Sequence, residues 1–326
     1  MKHVSILVPH EAVLGTIADP RYLFTTVNDF LTAAGQPALF NVQMVGLSRE
    51  VKLNGGIFSV HADQLTTEVK KTDLIIIPAL GSDLKVSLEL NKDFIPWIIE
   101  QHKKGAEVAS LCIGAFLLAS TGLLNGKECS SHWKTANEFR AMFPDVTLVD
   151  GRVITEEKGL YSSGGACSYW NLLLYIIEKY TSREIAIMAA KLFALEIDRK
   201  SQSPFIMFNG QKKHEDEPIK RAQEFIETNL TEHLSVDDLA VKFAIGRRHF
   251  DRRFKKATNN TPAEYIQRVR IEAAKKMLEI SKKNVNEVMY EVGYNDTKSF
   301  RTVFKKITGL SPIDYRNKYN NEAVVA

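Results

Sequence analysis

The stretch from Val236 to Tyr265 is written a second time from Val285 to Tyr315. Val236 pairs with Val285 and Leu239 with Val288 at an offset of 49. Phe254-Lys255-Lys256, Thr258, Pro262 and Tyr265 pair with Phe304-Lys305-Lys306, Thr308, Pro312 and Tyr315 at an offset of 50. The offset changes once, in the turn around Gly246 and Tyr294, so the copies differ by one inserted residue. Two copies of this period mark a duplicated supersecondary unit rather than a solenoid.

Each copy reads as a short helix, a turn and a basic helix. Ser235 followed by Asp238 is a capping-box-like start for a helix from Val236 to Phe243. Gly246 is expected to permit the tight turn. The next helix should bury Phe250 and Phe254 at i, i+4 and turn Arg247, Arg248, Asp251, Arg252 and Lys255 outward. In the second copy Phe300 and Phe304 form the stripe, with Thr297, Lys298, Arg301, Thr302 and Lys305 outward. A solvated amphipathic surface helix has the same pattern; its repetition favours major-groove recognition. Arg bonds guanine O6 and N7 bidentately, while Lys and Thr reach phosphates or base edges.

Between the copies Pro262 opens a helical run with Ile266, Val269, Ala273 and Leu278 on its apolar side. About eighteen residues at ~1.5 Å each span ~27 Å, near the ~34 Å between successive major-groove faces. One chain can therefore present two recognition helices to adjacent turns of one duplex. Charge agrees. Residues 211–320 hold 23 Lys and Arg against 16 Asp and Glu, about +7, and the remainder holds 20 against 23, about −3. The basic excess lies where phosphates would be met.

The C-terminal ~100 residues resemble the AraC/XylS family of bacterial transcription regulators. The resemblance rests on RRHFDRRFKKATNNTPAEYIQRVRIEAAKKML and NEVMYEVGYNDTKSFRTVFKKITGLSPIDYR, above all Gly293-Tyr294 and the Gly309-Leu310-Ser311-Pro312 turn. Gly246 departs from the Ser that often caps this helix in the family, at a cost of a few tenths of a kcal/mol.

At 326 residues, with 44% apolar residues, the chain has room for two or three domains with real cores. Its N-terminus has too short an apolar run for a signal peptide, and no run reaches the length of a membrane span. Cys112, Cys129 and Cys167 form no metal spacing and leave one cysteine unpaired, so a reducing cytoplasm is the expected setting.

Toward the N-terminus, strands are expected at Val4–Val8, Leu39–Val45, Thr72–Pro78 and Glu107–Leu111, near Val146 and near Leu160, with a small hairpin around Ile57–Val60. Helices are expected at Pro20–Ala34, Asn91–Lys104, Ile113–Ser120, Trp133–Met142 and Ala166–Tyr180. The central strand is β-branched and apolar on both faces, as a parallel sheet requires. This alternation indicates a doubly wound α/β domain, ending near residues 195–205 before a polar segment, Gln211 to Pro218.

Cys112 follows the expected strand and precedes a helix, with Ser110 and Gly114 two residues either side. A nucleophile on such a turn would stand exposed at the carboxyl edge of the sheet, beside a helix N-terminus that lowers a thiol pKa. His132 is the candidate base or proton partner. The competing reading is a buried, inert cysteine.

Ala109 to Lys127 with the following Ser-His-Trp, Tyr161-Ser-Ser-Gly-Gly-Ala166, and Asp198 to Phe205 together resemble the DJ-1/PfpI branch of the glutamine-amidotransferase-like fold. The resemblance spans roughly residues 3–205 and implies a flavodoxin-like sheet. With the helical module it resembles the GlxA-type regulators. It gives Cys112 the family's elbow cysteine and His132 its following histidine. The acidic partner is missing: the segment after the first strand reads Val13-Leu-Gly-Thr16-Ile-Ala, with Glu11 and Asp19 out of register. The Gly-rich turn after the central strand reads Pro78-Ala-Leu-Gly81, and its side chains would crowd amides able to hold an anion.

The resulting expectation is a ligand-sensing and dimerisation domain over 1–205, a linker over 206–217 and a DNA-binding domain over 218–320. The implied partners are double-stranded promoter DNA, a small-molecule effector, a second copy and RNA polymerase, with no metal, cofactor or membrane. The alternative is a cysteine-dependent hydrolase or hydratase using Cys112 and His132.

Overall fold

The computed structural model describes residues 1–320 except Ser82, Asp198, Lys200 and His233. The Asp198-to-Phe205 motif therefore lies outside the described residues at Asp198 and Lys200. The chain divides into two compact units, Met1–Gln202 and Ser203–Ala326.

In the first unit strand β1 (Lys2–Leu7) leads into helix α1 (Gly15–Ala33) and strand β2 (Phe40–Gly46). An antiparallel hairpin of β3 (Glu50–Leu53) and β4 (Phe58–His61) follows, then the short β5 (Gln64–Leu65). Next come β6 (Leu74–Ile77), α2 (Leu84–Leu90), α3 (Phe94–Lys103), β7 (Glu107–Ser110) and α4 (Ala115–Ser120). The unit continues through β8 (Glu128–Cys129), α5 (Ala136–Met142), β9 (Thr147–Leu148), β10 (Ile154–Glu157) and β11 (Leu160–Ser163). It closes with α6 (Tyr169–Tyr180) and α7 (Arg183–Leu192).

The seven-stranded sheet runs β10-β11-β7-β6-β1-β2-β5. Every neighbouring pair in it is parallel except β10–β11. Without its edges this is a doubly wound, flavodoxin-like order. The apolar run in β6 shows why: Leu74 and Ile76 face a core with α1, α6 and α7, while Ile75 and Ile77 face one with α3 and α4. All four are fully buried, and each contributes on the order of 1.5–3 kcal/mol of burial.

Helix α1 begins at Gly15, five residues before the expected start, and carries Pro20 inside. The Thr16 hydroxyl donates to the Val13 carbonyl at 2.7 Å and accepts from the Ala79 amide at 3.0 Å. That anchorage to the turn after β6 organises the first helical turn, a tertiary effect that the position of a proline does not reveal.

The second unit is helical: α8 (Glu217–Thr228), α9 (Val236–Lys242), α10 (Arg247–Thr258), α11 (Pro262–Ile280), α12 (Val285–Glu291), α13 (Thr297–Thr308) and α14 (Pro312–Tyr319). It has two cores. Tyr265 and Ile266 of α11 join Ile219, Leu239, Phe250 and Phe254 in the first; Ile271, Ala274 and Leu278 join Val288, Phe300, Phe304 and Tyr315 in the second. Val269 and Ala273, expected on the apolar side, are half-buried.

Residues 203–216, expected as the end of the first domain and a linker, pack within the helical unit. Phe208 meets the Tyr265 ring edge-on at 5.2 Å, and the Gln211 carbonyl accepts from the Gln223 side chain at 3.0 Å. The aromatic content of the segment, hidden among its charges, is what holds it there.

Candidate nucleic-acid interface

The two copies fold alike. Ser235 accepts from the Asp238 amide at 3.0 Å to start α9, and Asn284 accepts from the Glu287 amide at 3.0 Å to start α12. Phe250 and Phe254 lie 5.6 Å apart, and Phe300 and Phe304 5.7 Å. Phe254 meets Tyr265 edge-on at 5.2 Å, and Phe304 meets Tyr315 at 5.5 Å. Thr258 and Thr308 each donate to the carbonyl one turn back at 2.8 Å, just before a left-handed residue, Asn259 or Gly309.

The turns differ by one residue. Four residues separate α9 from α10 and five separate α12 from α13. Gly246 does not use the freedom of glycine, since its φ is −56° and ψ 137°. The left-handed position belongs to Ala244 at φ 53°, matched by Gly293 at φ 79°. Where Gly246 provides no cap, Asp296 accepts from the Ser299 amide at 2.6 Å.

The structure leaves Arg247, Arg248, Arg252 and Lys255 exposed on α10, with Asp251 half-buried. Lys298, Arg301, Thr302 and Lys305 are exposed on α13, and Thr297 is half-buried. Arg247 is spanned by Asp237 at 2.7 Å and Asp251 at 3.1 Å, so Asp251 orients an arginine. Arg252 lies 3.1 Å from His249, an exposed neighbour that the sequence reading passed over. Arg253, on the same helix, is bound bidentately by Asp216 at 2.6 and 2.9 Å and serves the fold.

In the α/β unit Cys112 sits on the turn between β7 and α4 with φ 55°. Gly114 is required there, because a Cβ would collide with the Pro78 carbonyl. The expected exposure is not found: Cys112 is 5% exposed. Nor does the helix N-terminus lower its pKa. Burial pushes the thiol up to about 12, outweighing a hydrogen bond from the Ile113 amide; desolvation opposes thiolate formation more than one short turn favours it.

His132 is not hydrogen-bonded to Cys112 among the described residues. Its Nδ1 accepts from the Lys134 amide at 3.1 Å, and burial and Lys134 hold the ring below its ordinary pKa. The turn after β6 is spent as well: the Ala79 amide bonds Thr16, and Leu80 pairs with Ala12 in an isolated bridge. Asp19 is engaged by the Tyr169 hydroxyl at 2.5 Å.

Known proteins match this arrangement unit by unit. The pattern of the DJ-1/PfpI family matches residues 23–179, and that of a helix-turn-helix domain matches residues 239–318. The HTH-type transcriptional regulator GbdR of Pseudomonas aeruginosa is 24% identical over 279 residues, 82% of this chain and 72% of its own. The HTH-type transcriptional regulator GlxA of Rhizobium meliloti is 21% identical over 215 residues, 66% of each chain. The chain is a transcription regulator that joins a DJ-1/PfpI-family domain to a helix-turn-helix domain.

The likeness extends to the fold of the α/β part of this regulator. An AraC family transcriptional regulator from Pseudomonas putida superposes with a TM-score of 0.50 at 16% identity, over 59% of this chain and all of that one. Among the described residues no cluster of His, Cys, Asp or Glu could hold a metal ion, and no helix is long and apolar enough to cross a membrane.

Proposed function

We propose that this regulator reads promoter DNA with α10 and α13 inserted into two successive major-groove segments. The observation that carries this reading is the duplicated unit: two helices of identical length, each pinned by a buried phenylalanine pair and each presenting a basic outer face. Arg252 and Arg301 are the base-reading side chains. Arg248, Lys255, Lys298 and Lys305 meet phosphates or neighbouring bases, Thr297 and Thr302 flank them, and Arg247 is oriented by Asp237 and Asp251. The α/β part senses a small molecule near Cys112 and pairs two chains. Effector binding then shifts the balance between two subunit arrangements by differential affinity. RNA polymerase is the partner at the promoter, and the setting is the cytoplasm.

Catalysis at Cys112 is not part of this reading. A buried thiol without a hydrogen-bonded base, in a chain whose Val13-Leu-Gly-Thr16 segment holds no carboxylate, is suited to contact with a ligand rather than to turnover. The test is selection of fragments bound by the purified protein from the host genome across a salt series. An enriched motif of two segments about one helical turn apart supports the reading. Binding without a motif that fades steeply with salt is generic phosphate contact and rejects it.

A further inference from the structure

One side chain of α11 joins the approach to the first copy to the turn of the second. Arg270 lies on α11 between the two cores, and its guanidinium donates to the Glu232 carbonyl, ahead of α9, at 2.7 Å. It also donates to the Gly293 carbonyl, in the turn between α12 and α13, at 3.0 Å. The first bond holds the connection that enters the first copy, and the second lies within the second copy. Gly293 itself is pressed on the Leu230 carbonyl, so a Cβ there would collide with that backbone and with the Arg270 guanidinium. Its counterpart Ala244 is exposed and carries its side chain. The close approach is therefore special to the second turn, the one with the additional residue.

The clamp has a cost. Arg270 is half-buried, its guanidinium lies 5.7 Å from the Tyr294 ring centre, and neither its Nε nor the Tyr294 hydroxyl has a hydrogen-bond partner among the described residues. Among the described residues no carboxylate pairs with it. A partly desolvated cation held by backbone carbonyls is a poor route to stability. Two carbonyls, one at the entry to the first copy and one inside the second, fixed by one planar fork, are a good way to hold two bodies in register.

We propose that Arg270, seated against Gly293, is a positioning residue that fixes the spacing and rotational phase of the two reading helices, and so the length of DNA allowed between the two segments. This rests on the two-segment reading above. One inserted base pair rotates the second segment by about a tenth of a turn, which a rigid pair of heads cannot follow and a loosened pair can.

The test uses the full chain and fluorescein-labelled duplexes carrying a site selected from a random pool by the wild-type protein. Companion duplexes have one base pair added or removed between the segments, or one segment scrambled. For wild type, each spacing change is expected to weaken binding about tenfold. For Arg270→Gln and Arg270→Lys, binding at the selected spacing weakens about tenfold, the spacing dependence flattens to within about threefold, and binding to the scrambled duplex is unchanged. Variants that keep the wild-type spacing profile overturn the inference, as do variants that lose equal affinity for the scrambled duplex. Loss of helical circular dichroism in both variants also overturns it, since Arg270 would then hold the fold. Failure of the two-segment reading is distinguishable, because wild-type protein would then bind the scrambled duplex as well as the intact one.

Discussion

The Tyr265 hydroxyl donates to the Glu227 carboxylate at 2.7 Å, closing the first helical core from α11 onto α8. Tyr315 does the same to Glu279 at 2.6 Å, from α14 onto α11. Helix α11 thus serves the second copy as α8 serves the first, while also lending its own tyrosine to that first copy. The duplicated body includes the helix ahead of each helix-turn-helix, and the central helix belongs to both bodies.

Tyr265→Phe and Tyr315→Phe each remove a hydrogen bond to a charged acceptor and should cost about 1.5–3 kcal/mol. Because the two tyrosines lie in separate cores, the double variant should show the sum within about 0.5 kcal/mol. Urea unfolding followed by far-ultraviolet circular dichroism measures both, and a strongly non-additive pair would mean that the cores are coupled.

Ala244 holds a left-handed backbone at φ 53° in an exposed turn. Ala244→Gly should therefore stabilise the helical unit by roughly 0.5–1 kcal/mol. Gly293→Ala should destabilise it by more than that, since the matching position has no room. Equal and small effects at the two sites would contradict the asymmetry between the turns.

Burial holds the Cys112 and Cys129 thiols up to about 12. The folded protein keeps these protons at pH values where the unfolded chain has released them, so their contribution is full below the unfolded thiol pKa and is lost as pH rises toward about 12. Stability should fall from pH 9 upward and fall less in Cys129→Ala. Iodoacetamide at pH 8 should modify the exposed Cys167 and leave Cys112 unlabelled. Rapid labelling of Cys112 at that pH would restore the hydrolase reading.

Arg252→Ala and Arg301→Ala should each cost about 1–3 kcal/mol at a mapped site and relax the preference at one base position. Lys255→Ala and Lys305→Ala should weaken binding evenly across sequences and lower the salt slope by about 1 each. Titrations at several salt concentrations separate the two behaviours. An Arg301→Ala protein with unchanged affinity would remove α13 from the base-reading role.

The duplication, the phenylalanine stripes and the basic faces were legible because each is a local pattern. Helices α2, α7 and α8 were not anticipated, being short or polar and set by what they pack on. The Cys112 turn was legible as a turn from its small neighbours, of which Gly114 is required by the Pro78 carbonyl. Its burial was not, because it depends on segments distant in the sequence: the Cys112 amide donates to the Ser163 hydroxyl and the Cys112 carbonyl accepts from Ser131.

Sequence alone determined the two folds and the two basic helices proposed to meet DNA, since periodicity and repeated spacing already encode which faces are apolar. Tertiary structure decided which charges are free. Arg247, Arg253 and Arg270 look alike in the sequence, yet carboxylates hold the first two, and backbone carbonyls ahead of the first copy and inside the second hold the third. A partner's position in space is a long-range fact, and no local pattern contains it.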